Sequence, residues 1–139
     1  MNDPSLACRR FKADAHALRP MSAWWREWAF QAGLDSDACD RGELCLNEAV
    51  GNIIQHATID DQGAVEVRLE RSPDAVRITV IDSGDRFDPL EHPVAAPPSS
   101  LETAAIGRLG IPLMTSSADE ISYRRENGQN LLTFRFERG

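Results

Sequence analysis

Apolar residues recur at helical spacing through the middle of the first half of the chain. Leu46, Ala49, Val50, Ile53, Ile54 and Ala57 form one stripe, so the run Leu44 to Ala57 predicts an amphipathic helix with a core-facing side. Asp35-Ser36-Asp37 offers a good N-cap, and the helix is expected to run from there to about Ala57. Upstream, Trp24, Trp25, Trp28 and Ala32 keep the same spacing across Met21 to Ala32. Pro20 opens that segment, and Gly33 stands where a helix C-cap glycine belongs. The three tryptophans read as core plus a partly exposed helix face, ahead of a ligand-stacking or interface role.

The period then changes from helical to alternating. Val65, Val67 and Leu69 share one face of a strand over Ala64 to Glu70. After the tight connection Ser72-Pro73-Asp74, Val76, Ile78 and Val80 turn inward on a second strand, Ala75 to Asp82, which pairs with the first as a hairpin. Ala118 to Glu126 and Asn130 to Glu137 predict a closing hairpin around Asn127-Gly128. Residues 6–14 are a weaker candidate for a first strand. Between the hairpins, residues 84–106 carry Pro89, Pro93, Pro97 and Pro98 with little periodicity, which suits a functional lid at about 88–106 or a disordered insertion. A short helix is expected after Gly110, with Pro112 in its first turn. The order β-α-α-β-β-loop-α-β-β predicts an α/β fold. Its architecture is a two-layer sandwich of a mixed, mostly antiparallel sheet with helices on one face.

Composition narrows the class. With 139 residues, one domain spanning 1–139 with one core is expected. The formal net charge of −7 lacks the positive footprint that nonspecific nucleic-acid binding requires, and Lys12 is the only lysine. Cys8, Cys39 and Cys45 are odd in number and lack CxxC spacing, so neither a zinc site nor a disulfide framework is expected. Cys45 falls in the helical apolar pattern and reads as a buried thiol. No apolar run approaches the roughly 18 residues needed to span a bilayer. A cytoplasmic location is therefore expected, without membrane or direct nucleic-acid partners.

Three segments carry candidate chemistry. Glu48, Asn52 and His56 lie four apart and stack along one face of the predicted helix, at about 3.6 residues per turn. An amide oxygen such as that of Asn52 can join Mg²⁺, which takes few protein ligands beside substrate phosphates. A carboxylate one turn earlier, Glu48, can accept a proton from an attacking hydroxyl. By itself this spacing fits a solvated polar helix face better. The second segment is Ile81-Asp82-Ser83-Gly84-Asp85-Arg86-Phe87-Asp88-Pro89. A strand-ending carboxylate can accept from an exocyclic amine such as adenine N6, and Gly84 lets the backbone pass close to a flat ring. An ordinary strand-ending Asp-Ser-Gly turn is the rival reading. The third is Gly107-Arg108-Leu109-Gly110, where glycines before a helix N-terminus expose N–H groups suited to phosphate. No Walker A pattern and no eukaryotic-type kinase catalytic-loop signature occurs in the chain.

Taken in order, these runs resemble the ATP-binding domain shared by gyrase, histidine kinases and MutL, the Bergerat fold. More closely, the chain resembles the bacterial anti-sigma factor serine/threonine kinases of partner-switching systems. The resemblance rests on Glu48-Ala-x-x-Asn52-x-Ile-x-His56-Ala, Asp82-x-Gly84-x-x-Phe87-Asp88, and Gly107-x-Leu-Gly110-Ile-x-Leu-Met114. Asp119-Glu120-Ile121-x-Tyr123-Arg124-Arg125 follows, so the match covers roughly residues 40–130.

What the resemblance implies can be placed residue by residue. Glu48 matches the general base, Asn52 the Mg²⁺ ligand, and Asp82 the reader of the adenine amine with Gly84 beside the ring. Gly107 and Gly110 match phosphate-contacting glycines at the end of the lid, with Arg108 between them donating to the phosphates or obstructing them. Asn130 falls where relatives often carry Thr or Asn near adenine. His56 matches a family position without a chemical step. Arg108 and Pro112 depart from the residues many relatives carry there. The resemblance implies an ATP- and Mg²⁺-dependent kinase, commonly a homodimer. Its substrate would be a small STAS-domain anti-anti-sigma protein, and it would sequester a sigma factor or other effector. The alternative is a binding module that keeps the fold and sequesters a partner without catalysis.

Overall fold

A computed structural model describes residues 5–56, 63–86, 88, 90 and 117–137, with Gln55 and His56 placed only as helix backbone. The expected lid, the helix after Gly110, and the candidate residues Gly107, Arg108 and Gly110 lie outside the described residues, as do Phe87 and Pro112.

The described elements are β1 (Leu6–Lys12), α1 (Leu18–Gln31), α2 (Ser36–His56), β2 (Ala64–Arg71), β3 (Ala75–Asp82), β4 (Glu120–Glu126) and β5 (Gln129–Glu137). The five strands form one sheet in the order β1-β2-β3-β5-β4, and each neighbouring pair is antiparallel. The step from β3 to β5 inserts the last strand beside the second hairpin partner and leaves β4 at the edge. The weakly signalled first strand is real. It pairs along its whole length with β2, from Leu6 opposite Glu70 to Lys12 opposite Ala64.

Alternation decides which face of the sheet is buried. Val65, Val67 and Leu69 of β2, Val76, Ile78 and Val80 of β3, and Leu132, Phe134 and Phe136 of β5 join one core with the helices. From α1 come Met21, Trp25, Trp28 and Ala29; from α2 come Cys45, Leu46, Ala49, Val50 and Ile53. Both helices thus cover the same face. The other face is polar at the matching positions, where Thr79 and Thr133 sit in register with hydroxyls 3.2 Å apart and Arg68 is exposed.

The helices dock closely because one contact has no side chain on one side. Trp25 is fully buried and its indole N–H donates to the Cys39 carbonyl at 2.9 Å. A Cβ built on Gly42 would lie 2.2 Å from the Trp25 ring, so only glycine admits the indole there. Trp24 packs against Phe11 with ring centroids 5.7 Å apart. The tryptophans are core and core margin, as their spacing indicates.

Helix ends follow local chemistry. Helix α1 starts at Leu18, three residues before the expected Met21. The cause is a 3₁₀ turn over Ala15–Ala17, capped by Asp14 accepting from the His16 N–H, which leads straight into it. Pro20 then lies in the first turn, where its missing N–H is not needed. At the other end Gly33 has φ 84°, Gly33 N–H donates to Phe30 and Leu34 N–H to Ala29, a Schellman closure. Asp35 caps α2 by accepting from the Ala38 N–H at 2.8 Å. Asn127 and Gly128, at φ 52° and 75°, form the two-residue turn that joins β4 to β5.

Candidate functional site

One end of the sheet breaks the apolar pattern on its helix-covered side. Going along β3, the inward positions Val76, Ile78 and Val80 are followed by Asp82; on β5, Leu132 is preceded by Asn130; on β4, Tyr123 is followed by Arg125. The register places Asp82 opposite Asn130 and Asn130 opposite Arg125. A carboxylate, a carboxamide and a guanidinium therefore stand in a row across three strands.

Their hydrogen bonds form one network. Asp82 is only 5% exposed and Asn130 4%. Asp82 Oδ1 accepts from the Gly84 N–H at 2.9 Å and from Asn130 Nδ2 at 3.1 Å. Asn130 Nδ2 also donates to the Asp85 carbonyl at 2.9 Å. The Tyr123 hydroxyl donates to Asn130 Oδ1, and so does Arg125 at 3.1 Å. Arg125 additionally donates to the Gly84 carbonyl at 2.8 Å. Arg86 lies over the Tyr123 ring, 5.7 Å from its centroid. Among the described residues nothing donates to Asp82 Oδ2, so this buried carboxylate keeps one oxygen for another donor. Gly84 closes a turn on Asp82 and lacks the positive φ found at Gly33 and Gly128; its value here is a backbone with no side chain above it.

Helix α2 packs on β3 and β5 and carries two further candidate residues, Glu48 and Asn52. Asn52 is 5% exposed, wedged between the core residues Val50 and Ile53 in sequence. That overturns the solvated-face reading for this residue. Among the described residues its Nδ2 is buried without a hydrogen-bond partner, a condition that costs about 1–3 kcal/mol in a folded protein. Glu48, one turn earlier, is half-buried and makes no ion pair or hydrogen bond among the described residues. Asn52 and Glu48 thus lie one turn apart on α2, the first buried and the second half-buried. They fit a nucleotide and its metal, with Asn52 as an oxygen donor beside phosphates and Asp82 as an acceptor for a ring amine. Among the described residues no group of three or more His, Cys, Asp or Glu could hold a metal ion.

Of the residues singled out from sequence, Asp82, Gly84 and Asn130 are brought into direct contact, and Glu48 and Asn52 share α2. The His56 side chain lies outside the described residues. Tyr123 and Arg125 were not given a role, although alternation along β4 puts both on the core-facing side. An arginine at such a position, across from a polar residue of the neighbouring strand, was the available signal.

The family model for the histidine kinase-like ATPase domain matches residues 11–136. The chain belongs to the histidine kinase-like ATPase domain family. It is 34% identical over 93 residues to the serine/threonine-protein kinase BtrW of Bordetella bronchiseptica, covering 65% of this chain and 64% of that protein. It is 28% identical over 113 residues to the serine-protein kinase RsbW of Bacillus licheniformis, covering 78% of this chain and 71% of that one. The chain thus spans somewhat under two thirds of BtrW. Its fold is like that in the crystal structure of the RsbU and RsbW domains of Rv1364c from Mycobacterium tuberculosis. There the TM-score is 0.69 at 19% identity, over 94% of this chain and 31% of that one. Among the described residues no helix is long and apolar enough to cross a membrane.

Proposed function

We propose that this histidine kinase-like ATPase domain is a cytoplasmic serine/threonine protein kinase of the anti-sigma type. It uses ATP and Mg²⁺ to phosphorylate a small STAS-domain anti-anti-sigma protein, and it sequesters a sigma factor or other effector as a homodimer. Residues 1–139 act as one domain with a lid at about 88–106. The observation that supports this reading is the buried Asp82 carboxyl, held through Oδ1 by Gly84 and Asn130 at the end of β3, in a chain of the histidine kinase-like ATPase family that also buries Asn52 on α2. The names of the relatives, a serine/threonine-protein kinase BtrW and a serine-protein kinase RsbW, support a side-chain hydroxyl as acceptor.

On this reading each side chain has one task. Asp82 accepts a hydrogen bond from the adenine amine, with Gly84 beside the ring and Asn130 behind the carboxylate. Asn52 offers its amide oxygen to Mg²⁺, which when bound neutralises phosphate charge. Gly107 and Gly110 present backbone N–H groups to phosphates, and Arg108 donates to them. Glu48 accepts the proton of the attacking serine or threonine hydroxyl, which then bonds to the γ-phosphorus as the bond to the ADP oxygen breaks. Positioning and charge neutralisation supply most of the rate in such transfers. The test is incubation with radiolabelled ATP, Mg²⁺ and a STAS-domain protein from the same genome neighbourhood. Label should appear on a serine or threonine of that protein, and Glu48→Ala should slow transfer by about 10²–10⁴-fold. A folded protein that transfers no label contradicts the kinase reading.

Arg108, a bulky residue between Gly107 and Gly110, favours a second reading, a binding module that sequesters its partner without transferring phosphate. Mg²⁺-dependent ATP binding without label transfer would select it.

A further inference from the structure

Asn130 has two chemically different ends, and an amide can be turned end for end at little steric cost. In this protein only one orientation is possible, and the reason lies on the edge strand. Arg125 has donors and no acceptor, so the Asn130 atom it meets at 3.1 Å must be the oxygen. The Tyr123 hydroxyl donates to that same atom. The other end of the amide meets two acceptors, Asp82 Oδ1 at 3.1 Å and the Asp85 carbonyl at 2.9 Å, and must be the NH₂. Turned over, the amide would set its oxygen against both of those oxygens and its NH₂ against the guanidinium.

The orientation matters for Asp82. The NH₂ of Asn130 and the Gly84 N–H both donate to Oδ1, which fixes the carboxyl plane and leaves Oδ2 to accept from a further donor. With the amide reversed, its oxygen would face Oδ1, one of the two donors would be lost, and the carboxyl group would no longer be held in that plane. An acceptor suits a ring amine, whereas a donor suits a ring carbonyl. Arg125 also ties down the Gly84 carbonyl at 2.8 Å, so the same side chain fixes the turn next to the carboxylate.

We infer that Tyr123 and Arg125 are positioning residues that lock the amide of Asn130 and thereby set the base preference of the site, making Asp82 an acceptor for the amine of adenine. This rests on the proposal that Asp82 reads adenine. Neither residue need touch the nucleotide. Arg125 is exposed and Tyr123 half-buried, so both tolerate substitution better than the core does.

The experiment compares ATP with purine riboside triphosphate, which lacks only the 6-amino group, by calorimetry at fixed Mg²⁺. The proteins are wild type, Arg125→Met and Tyr123→Phe. Wild type should prefer ATP by about tenfold or more, the value of one hydrogen bond to a charged group. In Arg125→Met the ATP affinity should fall toward that of the amine-free nucleotide, whose own affinity stays within about twofold, so the ratio collapses toward one. Tyr123→Phe, which keeps the ring and its packing, should move the ratio part of the way and covers the case that Arg125→Met folds poorly. Variants that keep the wild-type ratio, or that weaken both nucleotides equally, overturn the positioning role. Wild type showing no preference between the two nucleotides overturns the adenine reading itself, a separate and recognisable outcome.

Discussion

Asn130 donates through Nδ2 to Asp82 Oδ1 at 3.1 Å, joining two buried polar side chains 48 residues apart in the chain. They meet because β5 is laid beside β3 and the register sets them opposite each other at the end of both strands. Further inside on that face β3 and β5 present only apolar residues, Val76, Ile78, Val80, Leu132, Phe134 and Phe136. The polar pair therefore marks where the apolar pattern of these two strands stops, with Asp82 5% and Asn130 4% exposed.

Asn52 should cost the fold stability. A buried amide N–H without an acceptor carries a desolvation penalty that an apolar residue of similar size avoids. Asn52→Leu is therefore expected to raise the unfolding free energy by about 1 kcal/mol while abolishing Mg²⁺-dependent ATP binding. Urea unfolding monitored by tryptophan fluorescence, paired with calorimetry, checks both. A variant less stable than wild type would show that the amide is satisfied in solution.

The two glycines of α2 make opposite predictions. At Gly42 an added methyl would meet the Trp25 ring at 2.2 Å, so Gly42→Ala should destabilise by about 1–3 kcal/mol through forced displacement of the helices. At Gly51 nothing lies within 4 Å of the added atom, and Gly51→Ala should stabilise by about 0.5–1 kcal/mol through helix propensity. Chemical-denaturation midpoints of the two variants should move in opposite directions from wild type.

Alkaline stability should depend on Cys45. Burial pushes its thiol up from 9.0 to about 12; Glu48 adds to the rise and Arg41 opposes it. The unfolded chain therefore loses this proton first as pH rises, which favours unfolding. The contribution is fully present below about pH 9 and is lost between there and about pH 12. Unfolding free energies measured from pH 8 upward should fall more steeply in wild type than in Cys45→Ala. Parallel pH profiles would contradict the assignment.

Much of this architecture is legible from local pattern. The strict alternation of Val65, Val67 and Leu69, and of Val76, Ile78 and Val80, marks the central hairpin, and Asn127-Gly128 marks the outer one, because these signals are confined to a few neighbouring residues. Gly33 and Asp35 likewise announce a helix end and a helix start. The 3₁₀ turn before α1 was not legible, since its cap, Asp14, resembles any loop aspartate. The site divides the same way. Asp82 and Asn52 are marked by motif, but the burial of Asn52 is a tertiary fact that helical spacing leaves open between core and solvent. The Tyr123–Asn130–Arg125 network depends on register across β4 and β5, and the pattern along one strand tells which face a residue occupies without telling which partner it meets.

The central claim, that Asp82 at the end of β3 reads a nucleotide base, is tested most directly by titrating Mg-ATP into wild type and Asp82→Asn by calorimetry, with thermal unfolding confirming that both are folded. Wild type should bind. Asp82→Asn should lose at least about tenfold in affinity, because an amide that keeps its oxygen toward Gly84 and Asn130 sets its NH₂ where the ring amine would donate. Equal affinity in the two folded proteins would contradict the account.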